Sequence, residues 1–289
     1  MNEKNFPALY QAADNAAIIA QKTFLNSVKT YAFLSVLGAG LSVIGIQSKE
    51  FAILAAIVFL GGLFLTIYIA VKKSEGVWYR ARAVAESIKT SSWRFMMQTE
   101  PFDSSIAEQT VKSQFRELLI KILEEHKDLA HDLSGQFSLQ DQISDKMIEN
   151  RSKSLAERKQ IYLTERIEDQ RNWYANKSEF NKKWGSFWFC ILIVFQSMAI
   201  FLSLMRVAYP IWEFWPTEIF VVAAASVFSW IQLKRFRELT ASYSLAAQEI
   251  AIAMGALEDA LTEEDFSNFV RDTENAFSRE HTQWIAKKE

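Results

Sequence analysis

The sequence predicts an all-α membrane protein with four transmembrane helices arranged as two hairpins. Three observations carry that prediction. Four long apolar runs contain no charged residue, basic residues gather at the same ends of those runs, and 289 residues include four prolines and nine glycines. So few breakers favour long helices over a loop-rich or all-β chain. Half of the residues are hydrophobic while 23% are charged, the balance of a chain divided into apolar and polar blocks. A net charge of -2 supplies no global attraction to nucleic acid. The single cysteine, Cys190, excludes a disulfide framework and a cysteine-built metal site.

The runs are Thr30 to Ser48, Phe51 to Val71, Trp184 to Met205 and a shorter one from Ile219 to Leu233. Roughly 20 helical residues span the hydrocarbon layer, so the first three qualify directly. The fourth reaches that length when it begins near Trp215, with Pro216 in its first turn, where a missing N–H costs little. Backbone groups in a bilayer must bond internally, and runs this long without alternation are helices, not barrel strands. The transmembrane segments are placed at 31–48, 51–71, 184–205 and 215–233.

Lys49 and Glu50 alone carry charge in the first turn, whereas RVAYPIWEFWPTE joins the second pair, with Trp212, Phe214 and Trp215 suited to a headgroup interface. Lys22, Lys29, Lys72, Lys73, Arg80, Arg82, Lys177, Lys182, Lys183, Lys234, Arg235 and Arg237 all flank one side, while the tips carry Lys49 and Arg206. By the positive-inside rule, the inner membrane is crossed four times with both termini and the middle region cytoplasmic. The first run starts behind a helical stretch and reads as a retained anchor, not a cleaved signal.

The polar segments read as helices continuous with the spans. The second span is expected to run on through a helix at 74–99 until Pro101 stops it. Ser105 with Glu108 gives a capping-box signature for a helix at 105–134, whose Val111, Phe115, Leu118, Ile122, Leu129 and Leu133 share a face, with Gly135 as its end. A helix from about Ile143 to 183, through Leu155, Tyr162 and Trp173, leads into the third span. Helices at 234–261 and 263–287 follow the fourth, the last opened by Thr262 with Asp265 and ending with Trp284 and Ile285. The layout of helix, hairpin and outgoing helix occurs twice, offset by about 160 residues. It divides the chain into units at 1–135 and 136–289.

Catalytic patterns are missing: there is no phosphate-cradling glycine loop, nucleophile elbow or spaced carboxylate set. His126 and His131 lie five apart, off a shared helical face, and His281 stands alone, so no cofactor or metal site is expected. Glu124, Glu125 and Asp128 read as a solvated surface. Trp78, Arg82, Glu86, Lys89 and Trp93 share one helical face, with Arg82 and Glu86 spaced to pair. That face is either a solvated surface or a docking face between helices or protomers. Arg166, Gln170, Trp173 and Lys177 form a second stripe with the same two readings. Gln196, near the middle of its span, either bonds a neighbouring helix or lines an aqueous path. Gly38, Ser42, Gly45, Gly61, Gly62 and the stretch from Ala223 to Ser226 allow helices to approach closely.

WYRARAVAESIKTSSWRFMMQTEPF, after the first hairpin, resembles SLATT domains, the two-transmembrane effector domains associated with SMODS and SLOG proteins in bacteria. YLTERIEDQRNWYANKSEFNKKW and FVRDTENAFSREHTQWIAKK resemble a second SLATT unit of another subfamily. The resemblance implies a non-enzymatic membrane effector of a bacterial conflict or antiphage system, a homo-oligomer that permeabilises the bilayer. Its trigger would be a separate nucleotide-making or nucleotide-sensing protein, because this chain carries two units and no such domain. A membrane-anchored scaffold that recruits partners through its polar helices is the alternative. A transporter or an intramembrane enzyme fits less well, since the spans hold no charge, nucleophile or metal set.

Overall fold

The computed structural model describes residues 1–46 and 48–286, leaving out the side chains of 256, 258, 259 and 278–286. The predicted closing pair, Trp284 and Ile285, and His281 therefore lie outside the described side chains. Ten α-helices follow in order: α1 (Ala8–Gly45), α2 (Lys49–Lys72), α3 (Ser74–Met97), α4 (Glu108–Glu125), α5 (Asp145–Arg151), α6 (Leu155–Tyr162), α7 (Glu168–Ala208), α8 (Thr217–Lys234), α9 (Phe236–Asp259) and α10 (Glu263–Ala286). No strand occurs among the described residues. Four helical stretches are long and apolar enough to cross a membrane, as the charge-free runs require. The residues divide into two units: a membrane unit, Thr23–Lys73 with Tyr174–Ala246, and a polar unit, Met1–Lys22 with Ser74–Trp173 and Ala247–Glu289.

In the membrane unit, α1 and α2 form an antiparallel hairpin. A Cβ on Gly38 would lie 2.5 Å from the Phe59 ring, and one on Gly45 would lie 2.8 Å from the backbone nitrogen of Ala52. Both glycines thus permit approach, as expected. Gly61 and Gly62 do not, because nothing stands within 4 Å of a Cβ on either; Ser42 is exposed. The second hairpin closes through Leu192, Ala224 and Val227, with Trp188 meeting Trp230 and Phe195 meeting Phe220 edge-on. Its connection stacks Tyr209, Trp212 and Trp215, and the Trp215 indole donates to the Trp212 carbonyl at 2.9 Å. α7 continues beside α9, where Ser178 donates to the Thr240 carbonyl and Tyr174 meets Tyr243.

The returning helices run on past the spans, as expected, each with a single turning residue. Lys73 and Arg235 both take the left-handed conformation, with φ 48°, and their N–H groups bond the carbonyls of Ile69 and Ile231. A left-handed residue ends one helix and lets the next begin at once. That both breaks fall on a basic residue after a span strengthens the internal repeat.

In the polar unit, α3 packs against α4, α5, α6 and α10. It ends at Met97, short of Pro101, because Gln98 turns left-handed at φ 59°. α4 is shorter than expected and starts after Ala107, with no side-chain cap from Ser105. It buries Val111, Phe115, Leu119 and Ile122, so Leu119 takes the place expected for Leu118. The helix expected from Ile143 is broken by Ser154, which forms a capping box with Glu157. A π-helical turn, Leu163–Ile167, joins α6 to α7. Thr164 donates to the Gln160 carbonyl there and competes with the regular ladder. Thr262 and Asp265 open α10 by the reciprocal bonds their spacing predicts.

Gly45→Ala, whose Cβ meets backbone, is expected to destabilise the detergent-solubilised protein by about 1–3 kcal/mol. Gly61→Ala, in open space, is expected to stay within about 0.5 kcal/mol of the parent in the same thermal melt.

Candidate functional site

The site is built around α3 in the polar unit. α3 carries the first predicted stripe, α1 lies against it at Asp14, and α10 presents Glu274 to Arg166. The Arg82 guanidinium donates to Asp14 at 2.8 Å and to Glu86 at 2.5 Å, so the expected i,i+4 pair forms and gains a second carboxylate from α1. Glu86 is buried, and Trp93 is completely enclosed, with Phe6 and Tyr162 packed edge-on to it. Trp78 is half-buried and stacks on Tyr79 with ring centroids 4.6 Å apart. Within the chain the first stripe meets α1 at Asp14, with Glu86 and Trp93 buried and Trp78, Arg82 and Lys89 half-buried.

The second stripe divides. Arg166 is 1% exposed and makes a two-pronged ion pair with the fully buried Glu274, Nε to Oε1 at 2.8 Å and Nη2 to Oε2 at 2.7 Å. Tyr162 donates to the same carboxylate at 3.0 Å, and Phe277 offers its ring face to the guanidinium at 4.8 Å. Gln170 is buried beside Asp169, and Trp173 is half-buried. Lys177 is exposed and belongs to the membrane unit.

The two stripes share one electrostatic environment, because Lys89 feels Arg166, Glu86 and Asp169. Burial, seconded by Arg166, lowers the Lys89 ammonium below its ordinary value, while Glu86 opposes the shift. Burial raises the Asp14 carboxyl, with Arg82 opposing. Burial, then Glu274, holds the Tyr162 hydroxyl well above its usual range, which keeps it a donor. For Arg166 burial works against the charge, yet the Glu274 carboxylate outweighs it and fixes the guanidinium as a cation.

Two further arginines cap the α3 C-terminus, where carbonyls lack helical partners. Arg151 donates to the Phe95 and Phe102 carbonyls at 2.6 and 2.9 Å, and Arg158 donates to the Met97 carbonyl at 2.8 Å and pairs with Glu263. Burial, reinforced by Arg158, brings Arg151 down to about 10. The sequence reading missed Glu274, Asp14, Arg151 and Arg158, because each meets its partner across the chain and not along one helix. The expected Asp128 surface is exposed, paired with Arg80 at 2.7 Å. His126 closes α4 half-buried, and His131 is exposed.

Gln196 lies on the exterior of the membrane unit and has no hydrogen-bond partner among the described residues. The expected bond to a neighbouring helix does not form among the described residues, since the 7% exposed Leu192 and the 9% exposed Ala199 occupy the inward face of α7.

Glu274→Gln strips the buried guanidinium of its counter-charge and is expected to cost about 3–5 kcal/mol, whereas the Arg166→Met, Glu274→Met pair together recovers most of it in thermal melts. Lys89→Met gives a signed pH test. Its folded-state value lies below 10.5, so the unfolded chain holds the proton longer and stability rises with pH in that alkaline window. The stability gained by Lys89→Met at neutral pH is expected to shrink as pH approaches 10.5; a gain independent of pH contradicts the assignment.

Two family profiles match. Residues 162–284 match SMODS and SLOG-associating 2TM effector domain 1, and residues 7–159 match SMODS and SLOG-associating 2TM effector domain 3. No curated protein and no solved structure matches the chain. The first-matched domain in chain order supplies α1 to α5 and the other supplies α7 to α10, so the Thr99–Ser267 and Arg94–Asn275 bonds in the polar unit join one domain to the other. Two hairpins, each with its own match and its own basic left-handed break, make this chain a member of the SLATT family carrying two SLATT domains in tandem.

Proposed function

We propose that this protein is an effector of a bacterial conflict or antiphage system, without enzymatic activity, that oligomerises in the inner membrane and permeabilises it when a partner or signal triggers it. Both termini and the polar unit lie in the cytoplasm in this reading, supported by the bias of lysine and arginine toward one end of the spans. The family is one of effector domains associated with conflict systems. A separate nucleotide-making or nucleotide-sensing protein is the proposed source of the signal, and the polar unit is its proposed receiver.

The observation that carries oligomerisation is the Gln196 amide, which faces outward near the middle of a charge-free span with no partner among the described residues. An amide left unpaired in hydrocarbon costs about 4–8 kcal/mol on an alkane scale. An interhelical hydrogen bond returns on the order of 0.6–2 kcal/mol in membranes, enough to select a register and too little to hold an assembly alone. Apolar packing between copies supplies the rest. The spans pack directly at Gly38–Phe59 within the first hairpin, at Leu192–Val227 within the second and at Gly40–Ile219 between them, so a conducting path runs between copies in this reading. Because the apolar runs of the spans carry no charge, the gate is hydrophobic and opens by wetting.

The alternative is a non-conducting scaffold tethered by its hairpins, favoured by the same lack of intramembrane charge. Expression with and without neighbouring genes, with membrane potential followed through phage infection, separates the two. The effector reading predicts collapse of the potential on triggering, weakened several-fold by Gln196→Leu at unchanged expression. An unchanged potential under every trigger, or a strictly monomeric protein in mild detergent, contradicts it.

A further inference from the structure

Three lysines from three helices of the membrane unit gather at the basic end of the spans. Lys29 immediately precedes the charge-free run of α1, Lys234 immediately follows that of α8, and Lys177 stands seven residues before that of α7. The Lys29 and Lys234 ammonium groups lie 5.5 and 5.8 Å from the centroid of one ring, that of Trp230. Lys29 and Lys177 both act electrostatically on Lys234. Lys177 also sits over Phe180 at 5.8 Å.

Gathered like charges repel, and for Lys29 and Lys234 the neighbouring carboxylates bring no relief. Glu179 faces Lys182, and Glu238 pairs with Arg235. Among the described residues no carboxylate reaches ion-pair distance of Lys29 or Lys234. A ring face attracts an ammonium without using up its N–H donors, which remain directed at an acceptor. The Trp230 Nε1 is itself buried with no hydrogen-bond partner. Lys29, Lys234 and the Trp230 indole thus combine positive charge with spare donors.

We infer that Lys29, Lys177, Lys234 and the Trp230 indole form a binding site for a phosphate-bearing anion, the headgroup phosphate of an anionic phospholipid. Phosphate accepts several N–H donors at once and compensates gathered ammonium charge. A lipid is assigned because the lysines flank the ends of hydrocarbon-spanning runs, which sets them at headgroup depth, beside a tryptophan suited to that depth. Since Lys29 belongs to the first hairpin and Lys177 and Lys234 to the second, one lipid ties the two hairpins of a chain together.

The test uses the full chain in nanodiscs of phosphatidylcholine with or without phosphatidylglycerol, and native mass spectrometry of the detergent-solubilised protein. Phosphatidylglycerol is expected to bind in preference to phosphatidylcholine. Each lysine near an anionic surface contributes on the order of five-fold in affinity, so Lys29→Gln, Lys177→Gln and Lys234→Gln together lower retention at least ten-fold. The three Lys→Arg changes retain the lipid, and Lys49→Gln at the opposite end of the spans leaves retention unchanged. Single Lys29→Gln and Lys234→Gln variants serve if the triple variant does not fold, each with a several-fold loss. Inorganic phosphate at millimolar concentration identifies the source. Resistance of the bound lipid to phosphate supports the headgroup, while phosphate binding to lipid-free protein, lost in the triple variant, supports the site and moves its occupant to solution. Equal retention by parent and Lys→Gln variants, or no preference for phosphatidylglycerol, overturns the proposal.

Discussion

Hydrocarbon has to surround the spans, and the rest of the molecule is organised by that requirement. From Trp184 to Met205 no residue carries a charge, yet Phe187, Phe189, Val194, Ile200, Phe201 and Leu204 all point outward from the membrane unit. The same holds for Ile53, Ile57, Leu60, Leu63, Phe64 and Ile67 on α2. Water would make so much apolar surface intolerable, whereas lipid makes it neutral. Association within the membrane unit then rests on shape. Gly38 admits the Phe59 ring, Gly45 admits the backbone at Ala52, and Ala224 lies in the cluster with Leu192 and Val227. In the absence of a hydrophobic drive between helices, such close approach is the available source of packing energy.

The polar unit follows the opposite rule. Its core is a chain of edge-on rings, Phe6, Trp93, Tyr162 and Phe266, ordinary for water-facing protein. Set into that core are a buried ion pair, Arg166 with Glu274, and a charged set of buried Asp14 and Glu86 with half-buried Arg82 and Lys89. Buried pairs of this kind add little net stability over apolar replacements, but breaking one partner is costly. Their effect is on specificity: α10 can dock in one register, with Glu274 opposite the guanidinium and Tyr162. The wide π turn that carries Arg166 belongs to the same arrangement, since it re-phases α6 against α7 where the two SLATT domains adjoin.

The sequence made the spans legible because length without charge is a local property, readable one segment at a time. Thr262 with Asp265 was legible for the same reason, and Ser154 with Glu157 carried the same signature and was passed over. Ser105 with Glu108 carried it too and forms no cap, since the helix begins after Ala107. The breaks at Lys73 and Arg235 were not legible: lysine and arginine are good helix formers, and no glycine or proline marks the turn. Helical spacing correctly grouped Arg82, Glu86, Lys89 and Trp93 on one face, but spacing along a helix does not say what covers that face. The partners come from distant sequence, with Asp14 68 residues before Arg82 and Glu274 108 residues beyond Arg166. Gln196 was recognised as the odd residue of its span, and only packing shows that it faces outward.

Cys190 reports directly on the surroundings of the third span, since it is the sole cysteine and is exposed on the surface of the membrane unit. A thiol in hydrocarbon is unreachable by a charged reagent, whereas the same exposed thiol in water reacts readily. Labelling of intact membrane vesicles with a charged maleimide is therefore predicted to leave Cys190 unmodified until the bilayer is dissolved in a denaturing detergent. Rapid labelling in the intact vesicles, at the rate of an exposed thiol in water, would contradict the account.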